Sequence, residues 1–261
     1  MRGSTAENNA APIACGANYD WIYGNILLDR DRFNQGRAFG LAFADGYAAF
    51  GLNNEFQAAW TLCSSQRVLD GSWHHVAVQR RRSDGRLWLH VDGVLEAEAD
   101  GPDGDVSYPD NGTPGDYCGG PCVNSDPFVV LGAEKHDAGP SFPAFNGWLD
   151  ELRFSSNLRY GGAGFVPPAA AFVPDADTVA LYHFDALPGD CSATLSDSSG
   201  ASGGPSDGAC SFGGAPPPGP AYSESTPFVE AKLPALSAAG LALLTGAFAA
   251  GGALLSWRRP K

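Results

Sequence analysis

A carboxylate on an apolar strand face is the first place in this sequence where residue type and spacing point to chemistry. In Gly147-Trp148-Leu149-Asp150-Glu151-Leu152-Arg153-Phe154 a period of two puts Trp148, Asp150, Leu152 and Phe154 on one face. Leu149, Glu151 and Arg153 fall on the other. An unpaired charge among apolar side chains is costly, so Asp150 must meet a cation or hydrogen-bond donors, and spacing alone leaves both open. The same alternation points Asp150 and Glu151 apart, so they do not make the facing carboxylates that glycoside hydrolysis requires. No Glu-x-Asp-x-x-Glu triplet occurs in the chain.

Trp73, His74 and His75 form the second group. Alternation puts the two histidines on opposite faces, and no Ser or Cys nucleophile stands in a supporting motif, so they do not read as one catalytic unit. Trp73 reads as core packing. Trp60, Trp88 and Tyr108 carry flat rings on which a sugar could stack, but the sequence assigns no ligand-binding residue.

Cys15, Cys63, Cys118, Cys122, Cys191 and Cys210 are an even set without a Cys-x-x-C pair, which fits disulfides in an oxidising compartment and not a zinc site. Proximity suggests Cys118 with Cys122 and Cys191 with Cys210, leaving Cys15 with Cys63, although other pairings are formally open.

The elements that must position these residues are short. From Asp20 to Asp100, WIYGNILLD, RAFGLAFADG, YAAFGLN, AAWTLCSS, WHHVAVQRR, RLWLHVDG and VLEAEAD are apolar, aromatic-rich runs bounded by turn formers, with no sustained 3.6-residue period. In RLWLHVDG, Leu87, Leu89 and Val91 face one way and Trp88, His90 and Asp92 the other, which predicts a half-buried strand paired across an Ser-Asp-Gly turn with WHHVAVQRR. Residues 101–126 are turn formers and predict a long loop. Strands resume in PFVVLGA, NGWLDELRFSS and TVALYHFD, and residues 187–224, rich in Gly, Ser and Pro, predict an irregular stretch.

Net charge is −13 with 34 Gly and 20 Pro, a turn-rich composition whose acidity repels phosphate backbones and excludes nucleic acid as a partner. Residues 236–257 are uncharged and end on Trp257, Arg258, Arg259 and Lys261, the pattern of a single transmembrane helix with its basic flank in the cytoplasm. The N-terminus lacks an apolar signal-peptide core, so an exported chain would have its true start upstream.

LDGSWHHVAVQRRRSDGRLWLHVDGVL (69–95), GWLDELRFSSNLRY (147–160) and TVALYHFD with DSSG at 197–200 together resemble the laminin-G-like, concanavalin-A-like jelly rolls. The resemblance spans roughly residues 15–200. It implies an all-β sandwich of two antiparallel sheets, here followed by one C-terminal transmembrane helix. It further implies a domain that binds carbohydrate or a cell-surface or extracellular protein, with Ca2+ as cofactor held by Asp150 and by Asp197. The fold also hosts β-glucanases and purely structural surface proteins, which remain the rival readings. Leu233-Pro-Ala-Leu-Ser237, the apolar stretch and the Arg pair are similar to the tripartite C-terminal sorting signals of exported Gram-negative proteins. The expected organisation is a disordered segment 1–14, a jelly-roll domain 15–200, a linker 201–232 and a sorting signal or anchor 233–261. Such a protein is exported to the cell envelope.

Overall fold

Runs that alternate between apolar and polar residues become strands wherever both faces find cover. The computed structural model describes residues 1–31, 36–107, 129–136, 139–191, 194–210 and 219–228. In chain order the strands are β1 (Arg2–Ser4), β2 (Asn25–Arg30), β3 (Ala38–Ala44), β4 (Tyr47–Asn53), β5 (Ala59–Arg67), β6 (Asp70–Trp73), β7 (Val76–Arg80), β8 (Arg86–Val91) and β9 (Val94–Asp100). Then come β10 (Val130–Leu131), β11 (Gly147–Trp148), β12 (Leu152–Ser155) and β13 (Thr178–Tyr182). Four two-residue strands close the series: β14 (Gly189–Asp190), β15 (Thr194–Leu195), β16 (Gly208–Ala209) and β17 (Ala221–Tyr222). All ladders between them are antiparallel.

One layer is the five-stranded sheet β10-β2-β3-β4-β5. Its inner side chains, Leu27, Phe43, Phe50, Leu52 and Leu62, share a buried core with Leu87, Leu89 and Val91 of β8. Each fully buried Leu or Phe there contributes roughly 1.5–3 kcal/mol. The facing layer is hydrogen-bonded in pieces, β11-β1-β6, β7-β8-β9 and β12-β13, and not as the single second sheet expected. Two interruptions divide it: His74–His75 between β6 and β7, and residues 149–151 between β11 and β12.

The outer face of the five-stranded sheet is covered by Trp21, from the short 3-10 turn Asp20–Tyr23 that replaces the start of the expected strand WIYGNILLD. Gly40 of β3 and Gly51 of β4 are register partners, and a Cβ at either would lie 2.0 or 1.9 Å from the Trp21 ring. The paired glycines therefore form the slot that the indole fills.

Strand β8 is buried on both faces, not half-buried as its alternation predicts: Trp88 and His90 are 8% and 0% exposed. The reason is a non-local strap. Gln79 Oε1 accepts the backbone N–H groups of Arg159 and Tyr160, and the Phe165 N–H donates to Gly93 O, so Tyr160 and Phe165, stacked on each other, pack at an angle against His90.

Two boundaries differ from expectation. Residues 1–14, expected to be disordered, contain β1, which pairs with β6 and β11 while Met1 and Gly3 pack inward; backbone pairing with segments some seventy and more residues away is invisible to local composition. The compact unit runs from Met1 to Pro227 and does not end near 200. The stretch expected to be irregular carries the β14–β17 and β15–β16 ladders and the Cys191–Cys210 disulfide. Among the described residues no helix is long and apolar enough to cross a membrane, and the anchor and sorting residues 233–261, with the span 236–257, lie outside them.

Candidate functional site

The register of β11-β1-β6 places Trp148 and Trp73 on either side of Arg2. Gly3 turns inward against Leu69 and Phe145, so by alternation Arg2 points to the outer face. Its guanidinium carbon sits 4.0 Å from the Trp148 ring centroid and 5.4 Å from that of Trp73, a cation held between two π faces. Trp148 is 38% exposed and Trp73 half-buried. Trp73 is thus a surface residue, and the core role expected of it is corrected: β1 arrives on its strand's edge and leaves its outer face open. Of the rings first considered for stacking, Trp60 packs against the core, Trp88 is buried, and Tyr108 lies outside the described residues.

Beside this row, His74 is locked in place. Its Nδ1 lies 2.7 Å from Asp92 and its Nε2 3.1 Å from Asp70, while the other Asp92 oxygen accepts the His75 backbone N–H at 2.8 Å. His75 points away, among Tyr160, Phe165 and Phe172. As the alternation predicts, the two imidazoles point to different surroundings.

The interruption at 149–151 overturns the two-face reading of Asp150 and Glu151. Glu151 has φ 55, a left-handed backbone that ends the alternation, and its side chain, 5% exposed, turns in to accept the Phe172 N–H and to meet His183 Nδ1 at 2.8 Å. Glu151, not Asp150, is the deeply buried carboxylate. Ligand-type atoms of Glu151, His183 and Asp185 lie within 4.8 Å of one another. Burial pushes the Asp150 carboxyl up; a hydrogen bond from Thr226 opposes this, and the Glu151 and Asp185 charges add to the rise. Two carboxylates and an imidazole, those of Glu151, Asp185 and His183, thus gather beside the Asp150 that the sequence singled out, and this donor set fits a divalent cation.

Asp197 is placed differently. Burial would raise its carboxyl, but backbone N–H groups of Ser206, Leu181 and Ser199 outweigh it and hold the group down to about 2. Asp197 organises its own turn and, among the described residues, belongs to neither gathering of ligand-type groups. A second gathering, Asp31, Glu134 and His136, lies at the β2–β10 edge next to the fully buried Asp29, whose carboxyl burial raises to about 7.

Cys15–Cys63 and Cys191–Cys210 are disulfide-bonded, while Cys118 and Cys122 lie outside the described residues. Arg2 lies in no sequence motif, and the motifs that contain Trp148, Glu151, His183 and Asp185 assign them no ligand role. Only strand register and the broken strand bring them together.

The model of the Concanavalin A-like lectin/glucanases superfamily matches residues 16–159. No curated protein and no solved structure matches the chain.

Proposed function

The chain belongs to the Concanavalin A-like lectin/glucanases superfamily, and from that membership we propose that it is an exported, non-catalytic carbohydrate-binding protein whose binding surface is the Trp73–Arg2–Trp148 row. The observation that carries this reading is the row itself: two tryptophan rings, one of them 38% exposed, flank a guanidinium across three paired strands. Indole faces stack on the apolar C–H faces of pyranose rings, and guanidinium N–H groups donate to sugar oxygens. The disulfides Cys15–Cys63 and Cys191–Cys210 support an oxidising, extracellular setting. A tail anchored through residues 236–257 would then display the domain at the cell envelope.

A divalent cation belongs to the same reading. Glu151 and Asp185 would hold calcium through oxygen, with His183 alongside and the Asp150 charge nearby, and the ion would fix the β11–β12 interruption that carries Trp148 on its N-terminal side. The non-catalytic part of the reading is supported by Glu151, whose carboxylate is engaged by His183 and the Phe172 backbone.

The test is a glycan array probed with the full chain, run beside a reducing-sugar assay on the polysaccharides it binds. Binding without release supports the proposal; release of reducing ends that a carboxylate variant abolishes would make the protein a glucanase.

A further inference from the structure

Among the described residues every arginine but one has a hydrogen-bond or ion-pair partner. Arg67 meets Asp45, Arg81 meets Asp84, Arg86 meets Glu98 and Arg159 meets Asp175, while Arg37 and Arg82 reach Asp105. Arg30, Arg80 and Arg153 bond to carbonyl or hydroxyl oxygens. Arg2 has neither; only the rings of Trp73 and Trp148 hold it. In a chain with 29 acidic residues against 16 basic ones, a guanidinium without a carboxylate is not what chance pairing leaves.

The two rings flank the guanidinium, and among the described residues none of its N–H donors meets a protein acceptor. Such a fork matches a carboxylate in bidentate geometry and is held in place before any ligand arrives, so little side-chain entropy remains to be lost. The nearest acid on β6, Asp70, already accepts from the Ser72 backbone and meets His74, so it does not compete.

From these relations we infer that the carbohydrate bound at this row is an acidic glycan, a chain of uronic-acid units whose carboxylate is taken by Arg2; the inference rests on the carbohydrate-binding reading above. Trp73 and Trp148 stand two strand spacings apart, about 9.6 Å. That is close to the length of two linked pyranose rings, so a chain crossing the row sets a sugar against each tryptophan and a carboxylate between them. The protein's net charge of −13 opposes a polyanion at long range, but at physiological salt this field is screened beyond about 8 Å, while the contact to Arg2 is not.

The experiment compares short oligogalacturonates with their fully methyl-esterified forms in titrations of the full chain at physiological salt. The expected result is that the acid form binds about tenfold or more tightly than the ester. Arg2→Gln should remove that preference by weakening binding of the acid form about tenfold more than binding of the ester, and Arg2→Lys should restore only part of it. Equal affinity for acid and ester, which needs no variant to establish, overturns the acidic-glycan inference and leaves the carbohydrate-binding reading standing. Preference for sulfated over uronate glycans overturns the carboxylate assignment. Failure to bind any glycan on a broad array overturns both.

Discussion

His74 and Asp92 tie two hairpins together: Nδ1 of His74 lies 2.7 Å from one Asp92 oxygen while the other takes the His75 backbone N–H at 2.8 Å. Asp92 stands at the β8–β9 turn with φ 49, a conformation in which Asp is tolerated better than most residues. Replacing His74 by Ala removes one partner each from Asp92 and Asp70, which keep the His75 and Ser72 backbone N–H groups, and leaves a buried void. We expect this to cost about 1–3 kcal/mol in urea denaturation at neutral pH. A loss below about 0.5 kcal/mol would mean that the turn holds without this tie.

His75 supplies a pH dependence. Burial among Tyr160, Phe165 and Phe172 lowers its imidazole to about 4 from 6.5. Between those values the unfolded chain binds a proton that the folded protein does not, so stability is full above pH 6.5 and falls as pH drops towards 4. His75→Phe, which keeps the aromatic packing, should flatten the stability profile across that window. An unchanged slope in denaturation curves taken from pH 7 to 4 would assign the acid sensitivity to other groups.

The carboxylate gathering at the β11–β12 interruption predicts calcium-dependent stability. With a dissociation constant of about 0.1 mM, ordinary for extracellular calcium modules, about 1 mM calcium adds about 1.4 kcal/mol. For a chain of this size that is a rise of about 3–5 °C in Tm, reversed by EDTA. Glu151→Gln should abolish the rise. His183→Ala should spare the calcium effect but remove one produced by zinc, which favours imidazole. A Tm indifferent to both ions would leave Glu151, His183 and Asp185 as a hydrogen-bonded cluster only.

Much of the architecture is legible in the sequence because it is local. The β7–β8 hairpin follows from the alternation of Leu87, Leu89 and Val91 and the turn at Ser83-Asp84-Gly85, and Val78 pairs with Leu89 as that alternation requires. What sequence does not reveal is set by non-local partners. The burial of His90 depends on Tyr160 and Phe165, and Trp73 is half-buried beside Arg2 because β1 pairs along its strand. Asp150 was recognisable as anomalous, yet a period-two argument presumes an unbroken strand. The left-handed turn at Glu151 exchanges the roles of the two acids. Arg2 carried no signal at all, since a short polar N-terminal stretch looks the same whether it is disordered or recruited as an edge partner.

The central claim is that Trp73, Arg2 and Trp148 form a carbohydrate-binding surface, and calorimetric titration of the strongest array ligand into the full chain and its Trp148→Ala variant tests it most directly. Trp148 is partly exposed and lies at the edge of its sheet, so its removal should leave Tm nearly unchanged. The account predicts a loss of affinity of about tenfold or more, the order of one lost aromatic stacking contact. A Trp148→Ala protein that stays folded and binds the same glycan with unaltered affinity would contradict it.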